Sequence, residues 1–243
     1  MNYKKNIFLF LILAFSFSYS FAQVPNFDKT LASAAQGNPS AQRVLGLMYL
    51  NGQGVQKDDA KAVAWFLKAA AQGDVDAQFN LGGMYANGQG VQKDDTKLVE
   101  WYSKAAAQGY APAQNNLGLM YLNGRGVQKD DVKAFEWYSK AAAQGDPSAQ
   151  FNLGEMYEYG RGVQKDDVKA FEWYSKAAAQ GDPSAQFNLG LMYVNGRGVQ
   201  KDDVKAFEWF LKAAAQGDPS AQNNLGIMYE YGRGIQKDAT KAV

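Results

Sequence analysis

Apolar and polar positions in this chain follow two helical stripes per 36 residues. In the segment Asp182–Gly217, Ala185, Leu189, Met192 and Tyr193 recur at helical spacing and form the first stripe. Ala206, Phe207, Trp209, Phe210, Ala213 and Ala214 form the second. Asp182 suits an N-cap and Pro183 the first helical position, where no backbone donor is needed. Gly196 and Gly198 stop the first helix, because glycine adopts the left-handed geometry of a C-cap without strain. Asp202 or Asp203 caps the second helix, and Gly217 ends it. The pattern predicts helix, seven-residue loop, helix and tight turn.

The same pattern returns along the chain. Trp65, Trp101, Trp137, Trp173 and Trp209 are evenly spaced by 36 residues and are expected in the structural core of each unit. The units read 38–73, 74–109, 110–145, 146–181 and 182–217, with a partial sixth over 218–243. Residues 23–37 resemble the close of a second helix and are read as a half-repeat cap, in which Lys29 takes the tryptophan position. Neither helix of a unit can bury its stripe alone, so the fold expected is an all-α solenoid of stacked helix pairs. At the other end Val243 aligns with Phe207, and the last helix stops before its tryptophan. Either the chain is truncated there or another molecule covers that face, as in end-to-end association.

The first 22 residues differ in character. Lys4 and Lys5 precede an apolar run from Ile7 to Phe17, and Ser20-Phe21-Ala22 puts small residues before Gln23. This is the layout of a secretory signal peptide over 1–22, so an exported protein, periplasmic or secreted, is expected. The apolar run is too short for a membrane-spanning helix, which needs about 20 residues, and no later stretch is apolar enough. The whole chain carries a formal charge of +1, a weak field for attracting phosphates, which argues against nucleic acid as a partner. It has no Cys and no His. Disulfides, the usual zinc ligands and Ser-His-Asp or Cys-His nucleophile pairs are therefore excluded. No cofactor, metal site or catalytic residue is expected. The paired aspartates, such as Asp130-Asp131 and Asp166-Asp167, read as helix caps rather than calcium ligands, and the loops holding Arg125, Arg161 and Arg197 read as turns.

Three strings recur unit after unit: Ala-Gln-x-Asn-Leu-Gly-x-Met-Tyr, Gly-x-Gly-Val-Gln-Lys-Asp and Trp-Tyr-x-Lys-Ala-Ala-Ala-Gln-Gly. With them, residues 38 to 243 resemble Sel-one-like repeats, relatives of tetratricopeptide repeats with a longer internal loop. The resemblance implies a right-handed α/α superhelix used as an adaptor. It also implies a link to β-lactam binding or hydrolysis, which belongs to cysteine-rich exported members; this chain departs from them in having no cysteine.

Comparing the units with one another singles out three positions on the first helix. They read Arg43/Leu47/Leu50, Phe79/Gly83/Ala86, Asn115/Leu119/Leu122, Phe151/Glu155/Glu158, Phe187/Leu191/Val194 and Asn223/Ile227/Glu230. Spaced i, i+4, i+7, each set shares one helix face, about 180° from the Ala-Leu-Met-Tyr stripe. The first helices of tetratricopeptide-like stacks line the concave side. Phe79, Leu119, Leu122, Phe151, Glu155, Phe187, Leu191 and Val194 are accordingly the candidate face for a protein or peptide partner. Packing between neighbouring helices is the competing explanation of the same residues. An envelope-active hydrolase and an inert spacer are the alternative functions. The spacer reading draws on units 146–181 and 182–217, which differ only at 155/191, 158/194, 159/195, 174/210 and 175/211.

Overall fold

A computed structural model describes residues 26–238 and 240–242, so residues 1–22, read above as a signal peptide, lie outside the described residues. Among them are twelve α-helices and no strand. They run α1 Phe27–Ala35, α2 Pro39–Asn51, α3 Asp59–Ala71, α4 Val75–Asn87, α5 Asp95–Ala107, α6 Ala111–Asn123, α7 Asp131–Ala143, α8 Pro147–Tyr159, α9 Asp167–Ala179, α10 Pro183–Asn195, α11 Asp203–Ala215 and α12 Pro219–Tyr231. Each helix from α1 to α11 packs on the one that follows it, giving a continuous solenoid. No described helix is long and apolar enough to cross a membrane.

The ends of the helices follow their sequence signals. Asp182 caps α10 by accepting from the Ala185 amide, with Pro183 at the first turn, and Gly196 closes the helix in the left-handed region at φ 65°. Of the two candidates for α11, Asp202 is the cap and Asp203 is already helical. The second helices end one residue earlier than expected, on a glutamine such as Gln216, and the following Gly217 makes the turn at φ 90°.

A ladder of glutamines ties the repeats together. Gln42, Gln78, Gln114, Gln150 and Gln186 are buried polar side chains. Gln114 is typical: its amide donates to the Ala106 carbonyl of the preceding repeat at 3.1 Å, and its oxygen accepts from Gln144 at 2.7 Å. One side chain thus joins the ends of three helices and leaves no buried amide unpaired, which is the condition for burying it at all.

The core differs from the expectation at one position per repeat. The tryptophans are half-buried, at the margin of the core, with Lys140 4.1 Å from the centre of the Trp137 ring and equivalent lysines over the other four. The buried aromatic is the next residue: Phe66, Tyr102, Tyr138, Tyr174 and Phe210. The first-helix glycines explain the exchange. A Cβ on Gly118 would lie 2.8 Å from the Tyr138 ring, so the missing side chain is the socket into which the ring fits. Adjacent positions on a helix differ by about 100°, and the socket admits only one of them.

Candidate functional site

The eight candidate face residues are all half-buried. On α4, Phe79 stacks on Tyr102 with ring centres 5.2 Å apart and meets Tyr110 edge-on. On α8 and α10, Phe151 lies 5.6 Å from Tyr174 and Phe187 lies 5.7 Å from Phe210. Leu119 and Leu122 of α6 pack against the core around Tyr138. Leu191 and Val194 pack against the core around Phe210. The face is therefore not free of packing. It flanks the glycine socket: Phe79, Phe151 and Phe187 each rest on the buried ring of the second helix of their own repeat. Opposition to the first apolar stripe does not amount to full exposure, because the first helix has neighbours on two sides.

The fourth repeat breaks this apolar face with carboxylates. Glu158 is 5% exposed. The Tyr174 hydroxyl donates to its Oε2 at 2.7 Å, and Arg197 from the next repeat's loop donates to its Oε1. Glu155, one turn earlier on α8, is half-buried. Burial pushes its carboxyl above the ordinary range, the nearby Arg161 opposes that shift, and Glu158 adds to it. The Tyr174 phenol is pushed up by burial first, then by Glu158 and Glu155. Tyr159, more than half exposed, is raised by burial and by the same two glutamates.

A second phenol belongs to this cluster. Tyr138 is fully buried, its hydroxyl lacks a hydrogen-bond partner, and burial followed by the charge of Glu155 raises its pKa. Its equivalents are served differently: Asn116 opposes the upward shift of the Tyr102 phenol and Asn188 that of the Tyr174 phenol. The corresponding Asn152 instead donates its amide to Asn115 at 3.0 Å.

Of the five positions at which units 146–181 and 182–217 differ, four lie in this one cluster: Glu155, Glu158, Tyr159 and Tyr174. Arg125 clamps Asp95 of the preceding repeat at 2.7 Å and Arg233 clamps Asp203 at 3.2 Å, whereas Arg161 makes no such pair and Oδ1 of the equivalent Asp131 has no hydrogen bond. Arg197 is drawn to Glu158 instead, and Oδ1 of the equivalent Asp167 has no hydrogen bond. The sequence marked these arginines as turn residues and position 174 only as one that differs from 210, and gave no role to Tyr138. The signal available was the change from Phe at 66 and 210 to Tyr at 102, 138 and 174.

Stacked helix pairs with one polar cluster set in an apolar face define a helical-repeat scaffold. The family follows from the units themselves: the Sel1 repeat model matches residues 39–74, 75–110, 111–146, 147–182, 183–218 and 219–243, and the chain belongs to that family. It is similar to the uropathogenic Escherichia coli protective antigen c5321, which has an SLR fold, with 41% identity and a TM-score of 0.87 over 89% of this chain and 46% of that one. The chain thus spans less than half of the antigen's length. A Sel1 repeat protein from Oxalobacter formigenes is 37% identical with a TM-score of 0.82 over 88% of both chains. The immunity protein Pa5087 from Pseudomonas aeruginosa, 23% identical with a TM-score of 0.50 over 90% of this chain and 80% of that one, shares the fold. No curated protein matches the chain.

Proposed function

We propose that this protein is an exported, non-enzymatic scaffold that binds a protein or peptide on the concave side formed by its first helices, with the fourth repeat as the centre of recognition. The observation that carries this reading is the gathering of sequence differences. Units 146–181 and 182–217 are otherwise identical, so packing makes the same demands on both. Yet four of the five differences converge on a polar cluster beside Phe151, where a single repeated fold needs none. Apolar anchors around a few fixed polar groups are what a specific interface requires. The leader-like first 22 residues support export, as does the similarity to a protein described as a protective antigen.

The test converts repeat four into repeat five at the site: Glu155→Leu, Glu158→Val, Tyr159→Asn and Tyr174→Phe together. Every introduced residue already occupies the same place in the next repeat, so the variant folds with a thermal midpoint close to that of the parent. A random heptapeptide library panned on the parent should yield binders that lose at least about tenfold in affinity, roughly 1.4 kcal/mol, on the variant. Binders that hold both proteins equally would refute the site.

A further inference from the structure

The fourth repeat shows how this fold builds a phenol, a carboxylate and a guanidinium into one unit. Tyr174 donates to one oxygen of Glu158 and Arg197 to the other. A carboxylate held in this way is fully used, and its charge is neutralised from within the chain. One turn away on α8, Glu155 repeats the first two parts. Its charge acts on the Tyr138 phenol, which is fully buried and has no hydrogen-bond partner. The chain supplies no matching third part. Arg161 lies over the Tyr159 ring, 5.3 Å from its centre, and acts on Glu155 through space rather than in an ion pair. Leu119 and Leu191 stand at the equivalent places one repeat before and one after, and Phe151 one turn before on the same helix.

We propose that Glu155 receives the basic side chain, arginine by preference, of an extended partner segment whose apolar residues on either side rest on Leu119 and Leu191. This rests on the scaffold reading above and names the chemistry of its partner. A guanidinium matches a carboxylate through two parallel donors, and the arrangement at Glu158 shows that this surrounding accepts one. Tyr138 is a positioning residue: once a cation draws the carboxylate into place, its hydroxyl donates to Glu155 as Tyr174 does to Glu158. Half-burial of Glu155 makes the pairing selective, because an apolar or acidic side chain at that point leaves the carboxylate uncompensated.

Heptapeptides selected on the full protein from a random phage-displayed library, then synthesised with a fluorescent label, test the proposal. The expected peptides carry one arginine or lysine between apolar residues. Replacing that residue by norleucine weakens binding at least about tenfold, and Glu155→Gln weakens it about as much, with the two changes together little worse than either. Tyr138→Phe weakens binding several-fold while raising the thermal midpoint of the free protein, a combination that a purely structural tyrosine does not give. Arg161→Ala leaves binding intact or strengthens it. Selected peptides that depend on the four-residue site but need no basic residue, or that bind the Glu155→Gln protein equally well, overturn the proposal and leave the scaffold reading standing. Peptides indifferent to the four-residue conversion, or no selected peptide at all, overturn both.

Discussion

Two tyrosines in equivalent positions make opposite predictions. Tyr138 and Tyr174 are both fully buried against a first-helix glycine, yet only Tyr174 has a partner for its hydroxyl. A buried hydroxyl without a partner costs about 1–3 kcal/mol, and removing it recovers part of that. Tyr138→Phe is therefore expected to raise stability by up to about 1 kcal/mol, as Phe66 and Phe210 already do without the group. Tyr174→Phe takes a donor from a buried carboxylate and is expected to lower stability by about 1–3 kcal/mol. Urea unfolding of the two variants measures both, and equal shifts of the same sign would contradict the hydrogen-bond assignment. At this scale the sequence was only partly readable. The glutamates at 155 and 158 stood out because they interrupt an apolar position. The tyrosines did not, because their partners lie on other helices and Tyr for Phe is an unremarkable change within an apolar stripe. Trp137 and Tyr138 show the same limit: both fit the inward stripe, and only the socket at Gly118 decides between them.

The helices themselves were legible almost to the residue, since proline, aspartate and glycine mark their ends by local chemistry. What joins one helix to another was not. The glutamine ladder and the arginine clamps bridge about 30 positions along the chain, beyond the reach of any local pattern. Glycines within the first helices sharpen the point, because one residue type has two roles there. A Cβ at Gly118 would fall 2.8 Å from the Tyr138 ring, whereas at Gly83 nothing lies within 4 Å. Gly118→Ala should force the ring from its socket and cost about 1–3 kcal/mol. Gly83→Ala should stabilise the protein by up to about 1 kcal/mol, because alanine is the better helix former. Thermal midpoints that move in the same direction for both variants would contradict the socket geometry.

Over the whole molecule, repetition divides the labour between surfaces. The second helices carry a row of tryptophans covered by lysines, nearly unchanged from unit to unit, and this row serves the stack. The first helices carry the positions that vary, and in the fourth repeat these assemble a cluster of carboxylates and phenols. Period and pairing were legible from the sequence because each unit restates them. The site was legible only as a face, because its polar members come from α7, α8, α9 and the loop before α11. The five indole N–H groups offer built-in reporters for the second-helix surface. Titration of the isotope-labelled protein with a selected heptapeptide, followed by nuclear magnetic resonance, tests the central claim directly. The account predicts shifts in backbone amides of α6, α8 and α10 around Leu119, Glu155 and Leu191, with the indole signals of Trp137, Trp173 and Trp209 unmoved. Shifted indoles beside unmoved α8 amides would place binding on the second-helix surface and contradict it.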